Sequence, residues 1–115
     1  AKTKPSKYTK RIAETGLRET IQEETTKGTG STRERFIKAV ARVTEIPRPI
    51  IKEVYEKGLA AWAVGHRPGA TQDQWARARV YSFLAKGRTV ETADKQLFED
   101  ARKALNKKGR RFRFT

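Results

Sequence analysis

Few residues in this chain could carry out chemistry, and the most unusual group of them is the run Gly65-His66-Arg67-Pro68-Gly69. The chain has no cysteine and a single histidine, which excludes disulfides, thiolate metal sites, cysteine nucleophiles and metal sites built from several histidines. A Gly/Pro turn that leads into a helix can present backbone amides to an anion, with Arg67 beside it. The alternative is a rigid turn between helices, in which Arg67 pairs with Asp73 or with a carbonyl. A phosphate-binding loop that ends in Gly-Lys-Ser/Thr is absent, which argues against nucleotide hydrolysis. The sequence also shows no paired carboxylates within a motif, so we predict no enzymatic activity, no catalytic residue, no metal and no cofactor.

The positive charge of the chain is concentrated at its two ends. The 115 residues include 27 Lys and Arg against 13 Asp and Glu, a formal net charge of +14. Residues 1–11 contribute +5 and residues 102–115 contribute +7, both without an acid, so residues 12–101 carry only +2. Basic ends of this kind bind polyanions or acidic protein surfaces, and the alternative is that they only keep the protein soluble. A nearly neutral middle favours binding through the ends over binding in a folded groove.

The elements that must position these residues are helices. Apolar residues recur at helical spacing in five segments, at about residues 6–25, 31–47, 49–64, 71–87 and 90–107. Capping boxes begin the segments at Ser31 and Thr71, Gly16 weakens the first segment, and Gly87 is expected to cap the fourth. We therefore predict an all-α fold of about five short helices at residues 8–107, between a basic N-terminal arm at 1–7 and a basic C-terminal arm at 108–115.

The large aromatic residues are candidates for the core of this helical domain. Tyr55, Trp62, Trp75 and Phe83 fall on the apolar stripes of their helices, and a small domain needs large side chains to fill its centre. We expect Arg79 to bury its stem and pair with a nearby acid. The alternative is that it stacks with Trp75 to contact nucleic-acid bases.

The last residues change period, because Phe112 and Phe114 alternate with Arg111 and Arg113. Alternation of this kind is typical of a strand, and it would suit an extended arm that adds to the sheet edge of another protein. It would equally suit a disordered tail. The residues that we predict to bind a partner protein or nucleic acid are Lys2, Lys4, Lys7, Lys10, Arg11, Arg67, Lys107, Lys108, Arg110, Arg111, Phe112, Arg113 and Phe114.

Several stretches of the sequence resemble an uncharacterised small domain family found in proteins of the large DNA viruses of algae (the phycodnaviruses) and of cyanophages. The stretches are residues 55–62, the GHRPG run with Ala70, and residues 74–83, with residues 8–9, 14–18 and 35–37 upstream. The resemblance spans about residues 8–97. It implies a viral gene product that is a component of the particle, and it assigns no chemistry to any residue.

These observations together predict a non-enzymatic structural component of the virion, made inside the infected host cell. It would be a minor capsid (cement) protein or an internal particle protein that bridges shell proteins through its basic arms. The expected partners are viral capsid proteins, with viral DNA as a further candidate, and neither a membrane span nor a small-molecule substrate is expected. The alternative is a DNA-binding or packaging protein that acts mainly by neutralising phosphates. A third possibility is a small accessory domain of a larger enzyme.

Overall fold

The computed structural model describes residues 7–65 and 69–115, and the elements over these residues are helices, with no strand among them. The all-α fold that the spacing predicts is therefore confirmed. Six α-helices are joined by short connections, and a single turn of 3-10 helix precedes the last of them. The bounds are α1 Lys7–Glu14, α2 Leu17–Lys27, α3 Thr32–Thr44, α4 Arg48–Gly65, α5 Gln72–Leu84, the 3-10 turn Arg88–Glu91 and α6 Lys95–Lys107.

Local signals in the sequence account for the starts of α3, α4 and α5. The Thr71 hydroxyl accepts the Gln74 amide at 3.1 Å and the Gln74 side-chain oxygen accepts the Thr71 amide at 2.9 Å, which completes the capping box of α5. The Ser31 hydroxyl accepts the amide of Glu34 at 3.2 Å and so caps α3. Pro49 lies in the first turn of α4. The backbone N–H that proline lacks would have no partner within the helix at this position, so no hydrogen bond is lost.

Two helix ends differ from the sequence-based expectation. The single segment expected at residues 6–25 is two helices, because Gly16 adopts φ +80° and redirects the chain between α1 and α2. The fourth segment ends at Leu84, before Gly87. The left-handed residue of that turn is Lys86 at φ 56°, while Gly87 itself is extended.

The core lies between α4 and α5 and is covered by the other helices. The backbones of α4 and α5 approach closely at Gly58 of α4. A Cβ atom at this position would come within 2.7 Å of the Ala76 Cα, so only glycine leaves room for the contact. Tyr55 and Phe83 are fully buried as expected, whereas Trp62 and Trp75 are only partly buried. The largest fully buried apolar side chains are those of Ile12, Ile21, Val40, Ile46, Ile51, Val54, Tyr55, Val80, Phe83, Leu84 and Leu105.

A buried ion pair joins α5 to the start of α6. Asp94 is fully buried, and its carboxylate accepts two hydrogen bonds from the guanidinium of Arg79, at 3.0 and 3.3 Å. Lys57 of α4 lies 3.8 Å from the same carboxylate. The expectation that Arg79 pairs with an acid is thus confirmed. The guanidinium compensates the charge of the Asp94 carboxylate, whose burial alone would be strongly unfavourable.

Candidate anion-binding surface

The C-terminal segment folds back onto the domain. Gly109, at φ +73°, ends α6, and the Arg110 amide donates to the Leu105 carbonyl at 2.9 Å. Phe112 then inserts between α5 and α6, where only 5% of its surface is exposed. Its ring centroid lies 4.7 Å from that of Phe98 and 5.6 Å from that of Phe83, in edge-to-face arrangements that stabilise aromatic clusters.

The position of Phe112 corrects the expectation that this ring contacts a partner protein. Helices α5 and α6 of the same chain supply the apolar surface that the alternating pattern assigns to a partner sheet. Phe114 is partly buried beside Phe112, with 5.0 Å between the ring centroids. The alternation of Phe and Arg therefore describes a segment that has an inner and an outer side, and its inner side is docked.

The outer side carries arginines that line a cleft. Arg111 and Arg113 are exposed on either side of Phe112, and they line a cleft of about 510 Å³ together with Lys86 and Arg102. Among the described residues, no Asp or Glu side chain lines this cleft. Glu99 pairs with the Arg102 guanidinium at 2.7 Å from one turn away. We call the surface formed by Lys86, Arg102, Arg111 and Arg113 the C-terminal basic cleft.

The N-terminal cations lie near the same part of the fold. The Tyr8 ring of α1 packs against the turn after α5. A Cβ atom added at Gly87 would lie only 3.0 Å from the Tyr8 Cζ. Lys7 Nζ is 5.1 Å and Arg11 Cζ is 5.8 Å from the centroid of that ring, which is the distance of cation–π contacts. Lys7 and Arg11, the N-terminal cations that surround the Tyr8 ring, thus lie on the side of the domain that carries the turn after Lys86.

The other predicted binding residues divide into three groups. Lys108 and Arg110 hold the C-terminal segment to the end of α3, where the Lys108 ammonium donates to the Glu45 carbonyl at 2.9 Å and Arg110 pairs with the Glu45 carboxylate. Lys10 and Lys107 are exposed. Lys2, Lys4 and Arg67 lie outside the described residues.

Lys86 and Arg102 are functional candidates that the sequence-based prediction missed. Arg102 belongs to the basic C-terminal count, but nothing in the helical pattern distinguishes it from other exposed cations. Lys86 lies 25 residues before Arg111 in the sequence, in the nearly neutral middle. Only the folding of the segment against α5 brings the two together.

A separate, larger cleft between α3, α4 and α5 contains a hydrogen-bonded Tyr–Asp–Arg group. The Tyr55 hydroxyl donates to Asp73 at 2.5 Å, and Arg33 donates to the same carboxylate at 3.0 Å. Burial and the bond to Asp73 raise the pKa of Tyr55 to about 12, and the bonds from Arg33 and Tyr55 lower the pKa of Asp73. Among the described residues, the ion-pair partner of Asp73 is thus Arg33, 40 positions earlier.

The charges that line this larger cleft are mixed. Its volume is about 1050 Å³, and five cationic side chains share its walls with three carboxylates, so it is much less positive per unit of surface than the C-terminal basic cleft. The cations are Arg33, Lys38, Arg48, Lys52 and Arg77, and the acids are Glu34, Glu56 and Asp73.

Residues 7–65 and 69–115 form neither a metal-binding cluster nor a membrane-spanning helix. No three His, Cys, Asp or Glu side chains there are grouped in a way that could hold a metal ion. None of the helices formed by these residues combines the length and apolar character needed to cross a membrane.

Comparison with known proteins places the chain in a family. Residues 1–105 match the model of DUF5824, a family of unknown function, and the chain belongs to that family. The matched residues include Lys86 and Arg102 and end before Arg111. No curated protein and no solved structure matches the chain.

Proposed function

We propose that this member of the DUF5824 family is a non-enzymatic component of a virus particle that binds the phosphate backbone of nucleic acid through its C-terminal basic cleft. The observation that carries the proposal is the docking of Phe112, which holds Arg111 and Arg113 on the surface beside Lys86. The assignment to a particle, assembled in the infected cell, rests on the viral resemblance of the sequence.

Charge and rigidity both support binding to phosphates. A protein that neutralises phosphates releases condensed counterions, which supplies most of the free energy of non-specific binding. An arginine that is already ordered loses less conformational entropy when it binds than one on a flexible arm. Because the ring of Phe112 anchors the backbone between Arg111 and Arg113, part of that ordering is complete before nucleic acid arrives.

The capsid-bridging role expected first from the sequence is the second candidate. Phe114 is only partly buried at the outer edge of the aromatic cluster, so part of its ring could still contact a shell protein. The cations of the cleft would then contact acidic side chains of that protein instead of phosphates. In this role Phe114→Ser releases the protein from particles, whereas in the nucleic-acid role it leaves DNA affinity almost unchanged.

The test is the salt dependence of binding to a short labelled DNA duplex, measured by fluorescence anisotropy between about 50 and 200 mM salt. The triple variant Lys86→Gln, Arg111→Gln, Arg113→Gln removes three charges from the cleft. We expect the slope of log affinity against log salt to fall by about 0.9 for each lost phosphate contact.

The matched control removes the same charge elsewhere. The triple variant Lys38→Gln, Arg48→Gln, Lys52→Gln takes three cations from the larger cleft and should leave most of the slope unchanged. Equal losses in the two triple variants would mean that overall charge, and not the C-terminal basic cleft, drives binding. Fractionation of purified particles then distinguishes association with DNA from association with the shell.

A further inference from the structure

A third cleft, between α2, α3 and α5, is lined by two arginines, Arg18 and Arg77. Its volume is about 310 Å³, and Arg18 and Arg77 line it with Gln22 and Thr32 above a floor formed by Phe36 and Tyr81. Neither arginine forms an ion pair within the part of the chain that the structure describes. The third cleft shares no lining residue with the C-terminal basic cleft, whereas Thr32 and Arg77 also line the larger cleft.

The Arg18 side chain has one buried hydrogen-bond donor without a partner. Its Nε–H is buried and has no hydrogen-bond partner. A buried donor on a charged group is costly to leave unpaired, and such donors in native proteins are normally satisfied by protein, water or an ion. An acceptor that enters the cleft would therefore gain a hydrogen bond whose donor is already desolvated.

Both guanidinium groups act on the same floor residue. Tyr81 is 5% exposed. Burial raises its pKa, and the positive charges of Arg18 and Arg77, together with a hydrogen bond from the Arg18 side chain, oppose that rise. The carboxylate of Glu19 acts on Tyr81 in the opposite sense, but Glu19 is exposed and does not pair with Arg18. The Phe36 ring meets Tyr81 edge-on, with 5.8 Å between centroids, which fixes the floor.

We propose that this cleft binds a phosphate group. Two guanidinium groups supply positive charge and several N–H donors, and charge-assisted hydrogen bonds from arginine to phosphate oxygens are among the strong ones in proteins. Gln22 and Thr32 add neutral polar groups that can complete the coordination of the phosphate oxygens. The volume lies near the lower limit of about 300 Å³ for ligand pockets, which suits a phosphate monoester better than a large ligand. The phosphate would be free inorganic phosphate or the terminal phosphate of a nucleic acid.

The first experiment adds inorganic phosphate to the whole protein at constant ionic strength, balanced with chloride, and records the midpoint of thermal unfolding. A ligand that binds only the folded state raises that midpoint with increasing concentration. We expect the rise in the parent protein, and we expect Arg18→Gln and Arg77→Gln each to weaken phosphate binding by roughly tenfold, because each removes a charged hydrogen bond.

The matched control is Arg42→Gln, which removes an equal charge from a side chain that is 80% exposed on α3. It should bind phosphate like the parent protein. Arg18→Lys keeps the charge but loses the planar pair of donors, so it should bind with intermediate affinity. Absence of a phosphate-dependent shift in the parent, or an equal loss in Arg42→Gln, would overturn the proposal. If Arg18→Gln does not fold, Arg77→Gln alone decides the outcome.

A second comparison separates the two sources of the phosphate. An oligonucleotide with a 5′-phosphate and the same oligonucleotide without it are titrated against the parent protein and against Arg77→Gln. Preference for the phosphorylated end, lost in Arg77→Gln, identifies a nucleic-acid terminus, whereas binding of inorganic phosphate without such a preference identifies the free ion. The preference should survive in the Lys86, Arg111 and Arg113 triple variant, so failure of the C-terminal basic cleft is distinguishable from failure of this site.

Discussion

Replacement of Phe112 by alanine tests whether the C-terminal segment belongs to the folded domain. The ring is 5% exposed and contacts the rings of Phe83, Phe98 and Phe114. Truncation of a buried Phe to Ala costs about 3–5 kcal/mol. Because this residue lies near a chain end whose backbone can relax into the space, we expect a value near the lower limit, about 3 kcal/mol. For a domain of this size that corresponds to a fall of roughly 12 °C in the unfolding midpoint.

The assay is thermal and urea unfolding followed by far-ultraviolet circular dichroism, with Phe114→Ala as the control. Phe114 is only partly buried, so its truncation should cost about 1 kcal/mol, in proportion to the smaller apolar area that it buries. Below its unfolding transition, Phe112→Ala should also bind DNA more weakly than the parent protein, because Arg111 and Arg113 keep their charges but lose their fixed position beside Lys86.

A midpoint for Phe112→Ala within about 2 °C of the parent value would refute this reasoning. It would mean that the segment is not docked in solution, and that the division into a helical body and a free basic arm is correct. In that case the C-terminal basic cleft would lose its geometric basis, and any DNA binding would be that of a flexible charged tail.

Three further predictions concern the helical body. Gly58→Ala should lower the free energy of unfolding in urea by about 1–3 kcal/mol, because its Cβ would press on the α5 backbone. The control Gly65→Ala, at a position with open space around it, should change the free energy of unfolding little. Equal effects of the two substitutions would contradict the close approach of α4 and α5. Asp94→Ala should cost about 3–5 kcal/mol by leaving the guanidinium of Arg79 buried without its partner, and a loss below about 1 kcal/mol would show that water reaches the pair. Because the pKa of Tyr55 is raised to about 12 in the folded protein, its contribution to stability is complete below pH ~10 and is lost as the pH rises towards 12. Titration at 295 nm should show late tyrosinate absorbance that Tyr55→Phe reduces, and the remainder belongs to Tyr81, whose pKa is also raised by burial.

Much of the secondary structure could be predicted from the sequence, because the signals that begin and end helices are local. A hydroxyl at Ser31 or Thr71 caps amides within three residues of itself, and apolar spacing reports a helix whatever the helix packs against. The break at Gly16 was harder to foresee, since a helix tolerates an isolated glycine at moderate cost. Whether the chain bends at this glycine depends on the helices against which α1 and α2 pack.

The candidate site needed the tertiary structure. Spacing identified Phe112 and Phe114 as one face of an extended segment and Arg111 and Arg113 as the other, and it identified the excess of positive charge at the chain ends. It could not identify the surface that covers the apolar face, because a pattern of alternation states only that one side will be buried.

The pairings between distant residues were also decided by the fold alone. Arg79 was expected to find an acid, but the choice of Asp94 depends on how α6 follows the 3-10 turn. Lys86 meets Arg111 because Phe112 docks between α5 and α6. The sequence by itself determined which helices form and where the charge is concentrated, since those properties depend on residues within a few positions of one another. The packing of helices against each other decided which charges share a surface, because that depends on contacts between residues far apart in the chain.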